Sequence, residues 1–162
     1  MTDRAAQAVA QWRRERPDIE AFPMEVLGRL TELAQLVVRD RLNPVFAEFG
    51  LQQGEFDVVA TLRRSGAPYA LTPTALCDAA MISSGGMTAR IDRLEKAGLI
   101  ARRKHPTDRR GTLVALTDEG KKLIDALLPV HVETERRVLA VLTDGQQRTL
   151  NALLAKLLSG LG

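Results

Sequence analysis

The stretch Ser83–Thr117, which reads SSGGMTARIDRLEKAGLIARRKHPTDRRGTLVALT, decides the fold. It predicts a helix that ends at Gly98, followed by two short strands, Leu99–Lys104 and Thr112–Leu116, joined by the turn HPTDRRG. Upstream, Thr72-Pro73 marks another helix start, because a capping hydroxyl precedes a proline at the first helical position. Two short helices with a tight break between them, followed by a hairpin, are typical of a winged helix-turn-helix.

The second helix of this pair has two distinct faces. On a helical wheel Met87, Ile91 and Leu94 share one face, which is predicted to be core. The opposite side is small and polar near the N-terminus of the helix, and this lets a backbone approach the major groove of DNA. Ser83-Ser84 is predicted to cap the helix. The strongest candidate DNA contacts on this helix are Ser84, Gly85 and Thr88, with Ser83 beside them.

The hairpin tip Asp108-Arg109-Arg110 gives a second DNA-binding signal. A guanidinium suits the negative potential of a narrow minor groove, and an adjacent carboxylate can hold one arginine in a bidentate pair. A solvated, charge-rich hairpin tip is the simpler alternative, but the helix upstream favours DNA binding. The complete predicted DNA-binding set is Ser83, Ser84, Gly85, Thr88, Arg93, Arg103, His105, Asp108, Arg109 and Arg110.

Charge is concentrated in the same segment. The chain of 162 residues carries a net charge of +3, yet residues 72–116 hold eight Lys/Arg against four acids, so this segment is +4 and the remainder −1. Such a distribution indicates a focused polyanion site. Aromatic residues make up only 4% of the chain, which argues against stacking on single-stranded nucleic acid as the main binding mode.

The remainder of the chain is predicted to be helical scaffold. One helix occupies about residues 3–16, and a second starts at Phe22-Pro23, with a kink at Pro44 and an end at Gly50. A nearly all-apolar helix follows at about 52–64, and a long helix begins after Thr117, with a second kink predicted at Pro129.

The last helix follows a capping box, Thr143–Gln146, and carries one apolar stripe. We call this set the terminal leucine stripe: Leu150, Leu153, Leu154, Leu157, Leu158 and Leu161. The predicted fold is mainly α with a small β wing, a winged helix-turn-helix plus a helical dimerisation domain. Residues 51–116 form the DNA-binding domain, and 1–50 with 117–162 form the dimerisation region.

Two parts of the sequence, TARIDRLEKAGLIARR and DRRGTLVALTDEGKKL, resemble the MarR family of bacterial transcription regulators. The resemblance runs from about Met24 to the C-terminus. It implies a homodimer with interlocked N- and C-terminal helices that binds a pseudo-palindrome in double-stranded DNA. The terminal leucine stripe suits a dimer interface, because a monomer would leave it exposed.

An acid within an apolar helix suggests a ligand site. Asp57 follows Phe56 and precedes two valines, and a buried carboxylate is costly unless it is paired. Arg90 lies about 60° from the core face of its helix and can reach the scaffold. With Trp12, the only tryptophan, and Arg102, these groups suit a flat anionic heterocycle.

The segments WRRERPDIE and EFDVVATLRRSG also resemble the PecS-type, urate-responsive branch of the family. That resemblance implies Trp12, Asp57, Arg90 and Arg102 as ligand contacts. It also implies a mechanism in which ligand capture moves Arg90, and the helix that carries it, out of the DNA-binding pose. A structural Asp57–Arg90 ion pair with Trp12 in packing is the alternative.

Other functions find less support in the sequence. An architectural DNA-binding protein without a ligand remains open, as does a regulator that responds to another phenolic ligand or an oxidant. Nucleophile–base constellations and phosphate-binding glycine loops are missing, so we expect no enzyme and no cofactor. With two histidines and the single Cys77, a dedicated metal site is not expected, although a surface site formed by His131 and a carboxylate stays open. The lone cysteine and the lack of a signal-like or membrane-spanning apolar run predict a cytoplasmic protein.

Overall fold

The computed structural model describes residues 3–80, 86–108 and 111–161. They form a mostly helical chain with one small antiparallel sheet, as predicted, and this sheet has three strands. The chain divides into two compact units, Met1–Pro44 and Val45–Gly162. No helix in the described ranges is long and apolar enough to cross a membrane.

The first unit is a pair of packed helices, α1 (Arg4–Glu15) and α2 (Phe22–Val37). Asp3 caps α1, its side chain accepting a hydrogen bond from the backbone N–H of Ala6 at 2.9 Å. The two helices approach closely at Gly28, where a Cβ atom would lie 3.1 Å from the Cβ of Ala5. The missing side chain at this position therefore permits the contact.

The irregularity predicted at Pro44 lies in the residues just before it. Val38–Leu42 form a π-helical turn, in which the N–H of Asn43 donates to the carbonyl of Val38. Pro44 has no N–H to donate to the preceding turn, so the regular α-helical pattern is interrupted there. Helix α3 then runs Asn43–Glu48, and Gly50 follows with a left-handed φ of +71°.

The second unit contains the remaining helices and the sheet. The helices are α4 (Gln53–Arg64), α5 (Pro73–Ala79), α6 (Met87–Lys96), α7 (Asp118–Leu139) and α8 (Asp144–Ser159). The strands are β1 (Ala70–Leu71), β2 (Ile100–Lys104) and β3 (Thr112–Leu116), in the order β1-β3-β2, with both pairs antiparallel. The largest fully buried side chains of this unit include Phe46, Leu62, Leu76, Leu94, Ile100, Ile124 and Leu127.

Most of the predicted helix boundaries are confirmed, and their caps explain them. Thr72 and Thr117 accept hydrogen bonds from backbone N–H groups three residues on, at 3.1 and 3.0 Å. Thr143 and Gln146 form the predicted capping box. Gly98, which follows α6, has a φ of +73°, as a helix-ending glycine requires.

One boundary prediction needs correction. Helix α6 begins later than predicted, because its N-cap residue is Gly86, with a left-handed φ of +79° that glycine adopts without a Cβ clash. The predicted cap, Ser83-Ser84, lies outside the described residues. Helix α7 runs from Asp118 to Leu139 with Pro129 inside it, and the kink at this proline stays a prediction.

Candidate functional site

Helix α6 presents the two faces that the sequence predicts. Met87, Ile91 and Leu94 are buried in the core. On the other side Thr88 and Asp92 are exposed. Of the helix residues predicted to contact DNA, Thr88 therefore lies on the outer surface, whereas Ser83, Ser84 and Gly85 fall outside the described residues.

The described part of the wing turn is held by backbone hydrogen bonds. The N–H of His105 donates to the carbonyl of Gly111, and the N–H of Gly111 donates to that of Asp108, both at 3.0 Å. A Cβ atom on Gly111 would lie 2.8 Å from the Cβ of His105, so the turn closes only around a glycine. Arg109 and Arg110, the predicted tip, lie outside the described residues, and Asp108 beside them is exposed.

His105 has an additional role in this turn. Its Nδ1 accepts hydrogen bonds from the backbone N–H groups of Asp108 at 3.1 Å and Thr107 at 3.4 Å. A neutral imidazole that accepts at Nδ1 carries its proton on Nε2. The same side chain therefore orders the turn and retains an N–H donor suited to a phosphate oxygen.

Arg93, another predicted DNA contact, is ion-paired. Its Nε donates to Oε1 of Glu55 at 2.6 Å, and Glu55 is only 6% exposed. The other carboxylate oxygen of Glu55 accepts the backbone N–H of Gln52 at 2.8 Å, which satisfies the N-terminus of α4. The pair thus joins α6 to the first turn of α4. Arg103, by contrast, projects from β2 with an exposed side chain.

Arg102, a predicted ligand contact, joins the helix to the wing. Its guanidinium pairs with Asp92 at 2.5 Å and with Glu95, and its backbone N–H donates to Glu95 at 3.0 Å. The hydrogen bond to Asp92 is the main cause that raises the pKa of Arg102. Because both acids belong to α6 and Arg102 to β2, these contacts join α6 to the wing.

Asp57 lies half-buried on α4, near Arg90 and His131. Burial raises the pKa of its carboxyl above the ordinary value, whereas the charges of Arg90 and His131 act in the opposite direction. The first effect is the larger one, so Arg90 and His131 do not fully compensate the desolvation of the carboxylate. A desolvated acid beside a guanidinium is an arrangement suited to binding a polar ligand.

The side chain of Arg90 crosses from α6 to the surface of α4. A Cβ atom on Gly54 would lie 2.9 Å from Cζ and 3.0 Å from Cδ of Arg90, and closer still to Nε. Arg90 is half-buried in this position. The structure thus brings Arg90 and Asp57 together, as the wheel suggests, on one face of α4.

The fourth predicted ligand residue belongs to the other unit. Trp12 lies on α1 and is 45% exposed, so its ring is not part of the core of that unit.

Sequence reasoning missed the burial of His131, which it considered only for a surface site with a carboxylate. Its ring stacks near Phe46 and Phe56, with centroid distances of 5.6 and 4.6 Å, and Nε2 lies 3.3 Å from Glu135. Its Nδ1 is buried and has no hydrogen-bond partner among the residues that the structure describes. The signal was present in the sequence, because His131 continues the buried stripe of Ile124 and Leu127 along α7.

The described residues contain no group of three or more His, Cys, Asp and Glu that could hold a metal ion. Cys77 is a free thiol on α5 with partial exposure.

Known proteins are similar to this chain in sequence and in fold. The model of the MarR family matches residues 49–111. Over 148 residues, 91% of this chain and 89% of the relative, the sequence is 44% identical to the HTH-type transcriptional regulator PecS of Dickeya dadantii. That match spans both compact units.

Solved structures of similar chains include complexes with DNA. Sco3205, a MarR family transcriptional regulator from Streptomyces coelicolor solved with DNA, is 27% identical, with a TM-score of 0.78 over 89% of this chain and 94% of that one. A mutant MarR from E. coli, complexed with operator DNA, is 27% identical, with a TM-score of 0.73 over 91% of this chain and 97% of that one.

Proposed function

Because this chain belongs to the MarR family of transcriptional regulators, in its PecS-type branch, we propose that it is a homodimeric repressor released from DNA by a small ligand. The operator is a pseudo-palindrome, and the ligand is a small anionic aromatic molecule such as urate or a related purine. The chain's relatives are regulators of transcription, so it is not an enzyme.

The DNA-binding part of this proposal rests mainly on the outer face of α6. Thr88 and Asp92 are exposed opposite a core face formed by Met87, Ile91 and Leu94. A helix anchored on one side and small on the other can enter the major groove. Sco3205, a similar protein, has been solved in complex with DNA. The basic segment that includes β2 then contacts the phosphate backbone.

Two exposed apolar surfaces support the dimer. The terminal leucine stripe leaves Leu157 and Leu158 exposed on α8 and Leu161 exposed just beyond it, and on α2 Phe22 and Leu27 are each 57% exposed. Apolar side chains in such number on one subunit mark an interaction surface. A two-fold dimer places two α6 helices on half-sites about one helical turn, roughly 10 bp, apart.

The environment of Asp57 supports the ligand-binding part. A half-buried carboxylate with a raised pKa, beside Arg90, offers one hydrogen-bonding acid and one cation to a planar ligand. The resemblance to the urate-responsive branch adds Trp12, whose ring is exposed, and Arg102, whose guanidinium pairs with Asp92 and Glu95 on α6. We propose that these four residues bind the ligand, as the resemblance to the urate-responsive branch implies.

Release follows from the position of Arg90 on the DNA-binding helix. A ligand anion that competes for this guanidinium changes the contact of α6 with α4. The ligand shifts the population away from the DNA-binding pose only by its difference in affinity for the two poses.

The test is operator binding with and without ligand. The probe is the chain's own upstream intergenic DNA, labelled for fluorescence anisotropy, with random DNA of equal length as control. We expect preference for the operator by at least about 10³-fold, and release by millimolar urate. Equal binding to both DNAs would support an architectural protein instead. Retention of the operator at millimolar urate would exclude this purine as the effector.

A further inference from the structure

The contact between Arg90 and Gly54 has a strict steric requirement. A Cβ atom on residue 54 would come within 3.0 Å of three consecutive side-chain atoms of Arg90: Cδ, Nε and Cζ. Real Cβ atoms do not make such contacts, so any residue other than glycine would force this side chain away. The atoms that must move belong to the end of a flexible side chain rather than to backbone.

We infer that Gly54 is a positioning residue for Arg90, whose guanidinium it admits to the surface of α4 beside Asp57, and that this contact holds α6 in its DNA-binding pose. The inference rests on the proposed function, because it describes the contact that Arg90 makes when no ligand is bound. The ligand and the Gly54 surface then compete for one guanidinium.

The three atoms nearest to a Cβ on residue 54 all belong to Arg90. Gly54 is the second residue of α4, where its φ is helical and where alanine is at least as favourable as glycine. The backbone of α4 therefore gives no reason for a glycine here. The need arises from α6, through one side chain.

The chain provides a matched control in Gly145. It is the second residue of α8, and like Gly54 it follows an N-cap whose capping box is completed at the third helical position. A Cβ atom on Gly145 would meet no atom within 4 Å. Gly145→Ala thus reproduces the backbone effect of Gly54→Ala without the contact to Arg90.

The experiment compares Gly54→Ala, Gly145→Ala, Arg90→Ala and the Gly54→Ala/Arg90→Ala double variant in the full-length dimer. We expect Gly54→Ala to lower operator affinity at least about fivefold and to blunt release by urate, with an unchanged or higher melting temperature. In the Arg90→Ala background the same change should have no further effect on affinity, since the two residues act through one contact. If Gly54 had only a structural role, Gly54→Ala would lower the melting temperature instead. Its effect on operator affinity would then be the same with and without the Arg90 side chain.

A second measurement does not depend on DNA or urate. The Nε–Hε resonance of Arg90, assigned by its loss in Arg90→Ala, should shift in Gly54→Ala and stay in place in Gly145→Ala. If wild-type protein fails to bind its upstream DNA, the proposed function is wrong, yet this resonance still tests the contact. An unshifted resonance, or wild-type operator affinity in Gly54→Ala, would overturn the inference.

Discussion

The Nε of Arg93 on α6 lies 2.6 Å from Oε1 of Glu55 on α4, and this ion pair connects α6 to a buried carboxylate. Glu55 also completes the N-terminus of α4 through its hydrogen bond from Gln52. The arginine is half exposed, so one side of it remains accessible to a phosphate. Arg93 therefore has a stabilising role in addition to the DNA contact predicted for it.

Arg93→Ala should destabilise the fold as well as weaken DNA binding. Loss of the partner leaves the Glu55 carboxylate buried with one hydrogen bond fewer, at a cost of about 1–2 kcal/mol for a half-exposed pair. Urea unfolding measures this loss. The matched control is Arg103→Ala, which removes an exposed arginine of β2 and should weaken operator binding with no change in the free energy of unfolding. Equal stability of the two variants would contradict the role given to Glu55.

Asp57→Asn should separate ligand response from folding. Because burial outweighs the attraction of Arg90 and His131 at this carboxyl, the charged form lowers the stability of the folded state. The amide variant should therefore unfold at the same or a higher urea concentration than wild type, bind the operator, and fail to respond to urate. A marked loss of stability would instead identify Asp57 as a structural ion-pair partner.

The difference in stability between Asp57→Asn and wild type should change with pH in one direction. The folded-state pKa of Asp57 is raised, so the folded state binds the proton more tightly than the unfolded state does. The free-energy penalty for folding with a charged Asp57 is absent below the pKa of this group in the unfolded chain. It grows as pH rises through the pKa in the folded state. The stability advantage of Asp57→Asn should accordingly be present at neutral pH and vanish in acid, as measured by urea unfolding across pH. An advantage that grows in acid would contradict this assignment.

Local sequence signals predicted the scaffold of the site well. Periodicity identified the buried face of α6, and hydroxyl or glycine positions such as Thr117 and Gly98 gave the helix ends. These features depend on residues within one or two turns of each other. The predicted start of α6 was wrong, because Gly86, with its left-handed φ, is the N-cap residue in place of the serines upstream.

The partners of charged side chains could not be predicted in the same way. Glu55 and Arg93 are 38 residues apart, and nothing local indicates that they meet. Arg102 illustrates the same difficulty, since its two partners on α6 are defined only once β2 has packed beside that helix. The ion-pair partners of long, flexible cationic side chains are determined by tertiary packing. Neither the periodicity of the sequence nor helix and strand propensity indicates that packing.

Arg109→Ala tests the wing. A guanidinium in the minor groove contributes strongly to affinity, so the variant should bind the operator far more weakly, with the dimer intact. Loss of one phosphate-neutralising cation should also reduce the slope of log affinity against log salt by about 1. Lys122→Ala on α7 removes one exposed cation of equal charge and should leave both values unchanged. Wild-type affinity in Arg109→Ala, measured by anisotropy over a salt series, would refute the wing contact.

The terminal leucine stripe makes the most direct prediction about assembly. Leu158 is 70% exposed, and burying such a side chain in a dimer stabilises it by about 1.5–3 kcal/mol per subunit. Leu158→Asp replaces that gain with the cost of desolvating two carboxylates across a two-fold axis, so we expect monomers and no operator binding. Ala152→Asp, on the opposite face of α8, carries the same charge and a comparable helix penalty, and should remain dimeric. Sedimentation velocity distinguishes the two variants, and a dimeric Leu158→Asp would place the interface elsewhere.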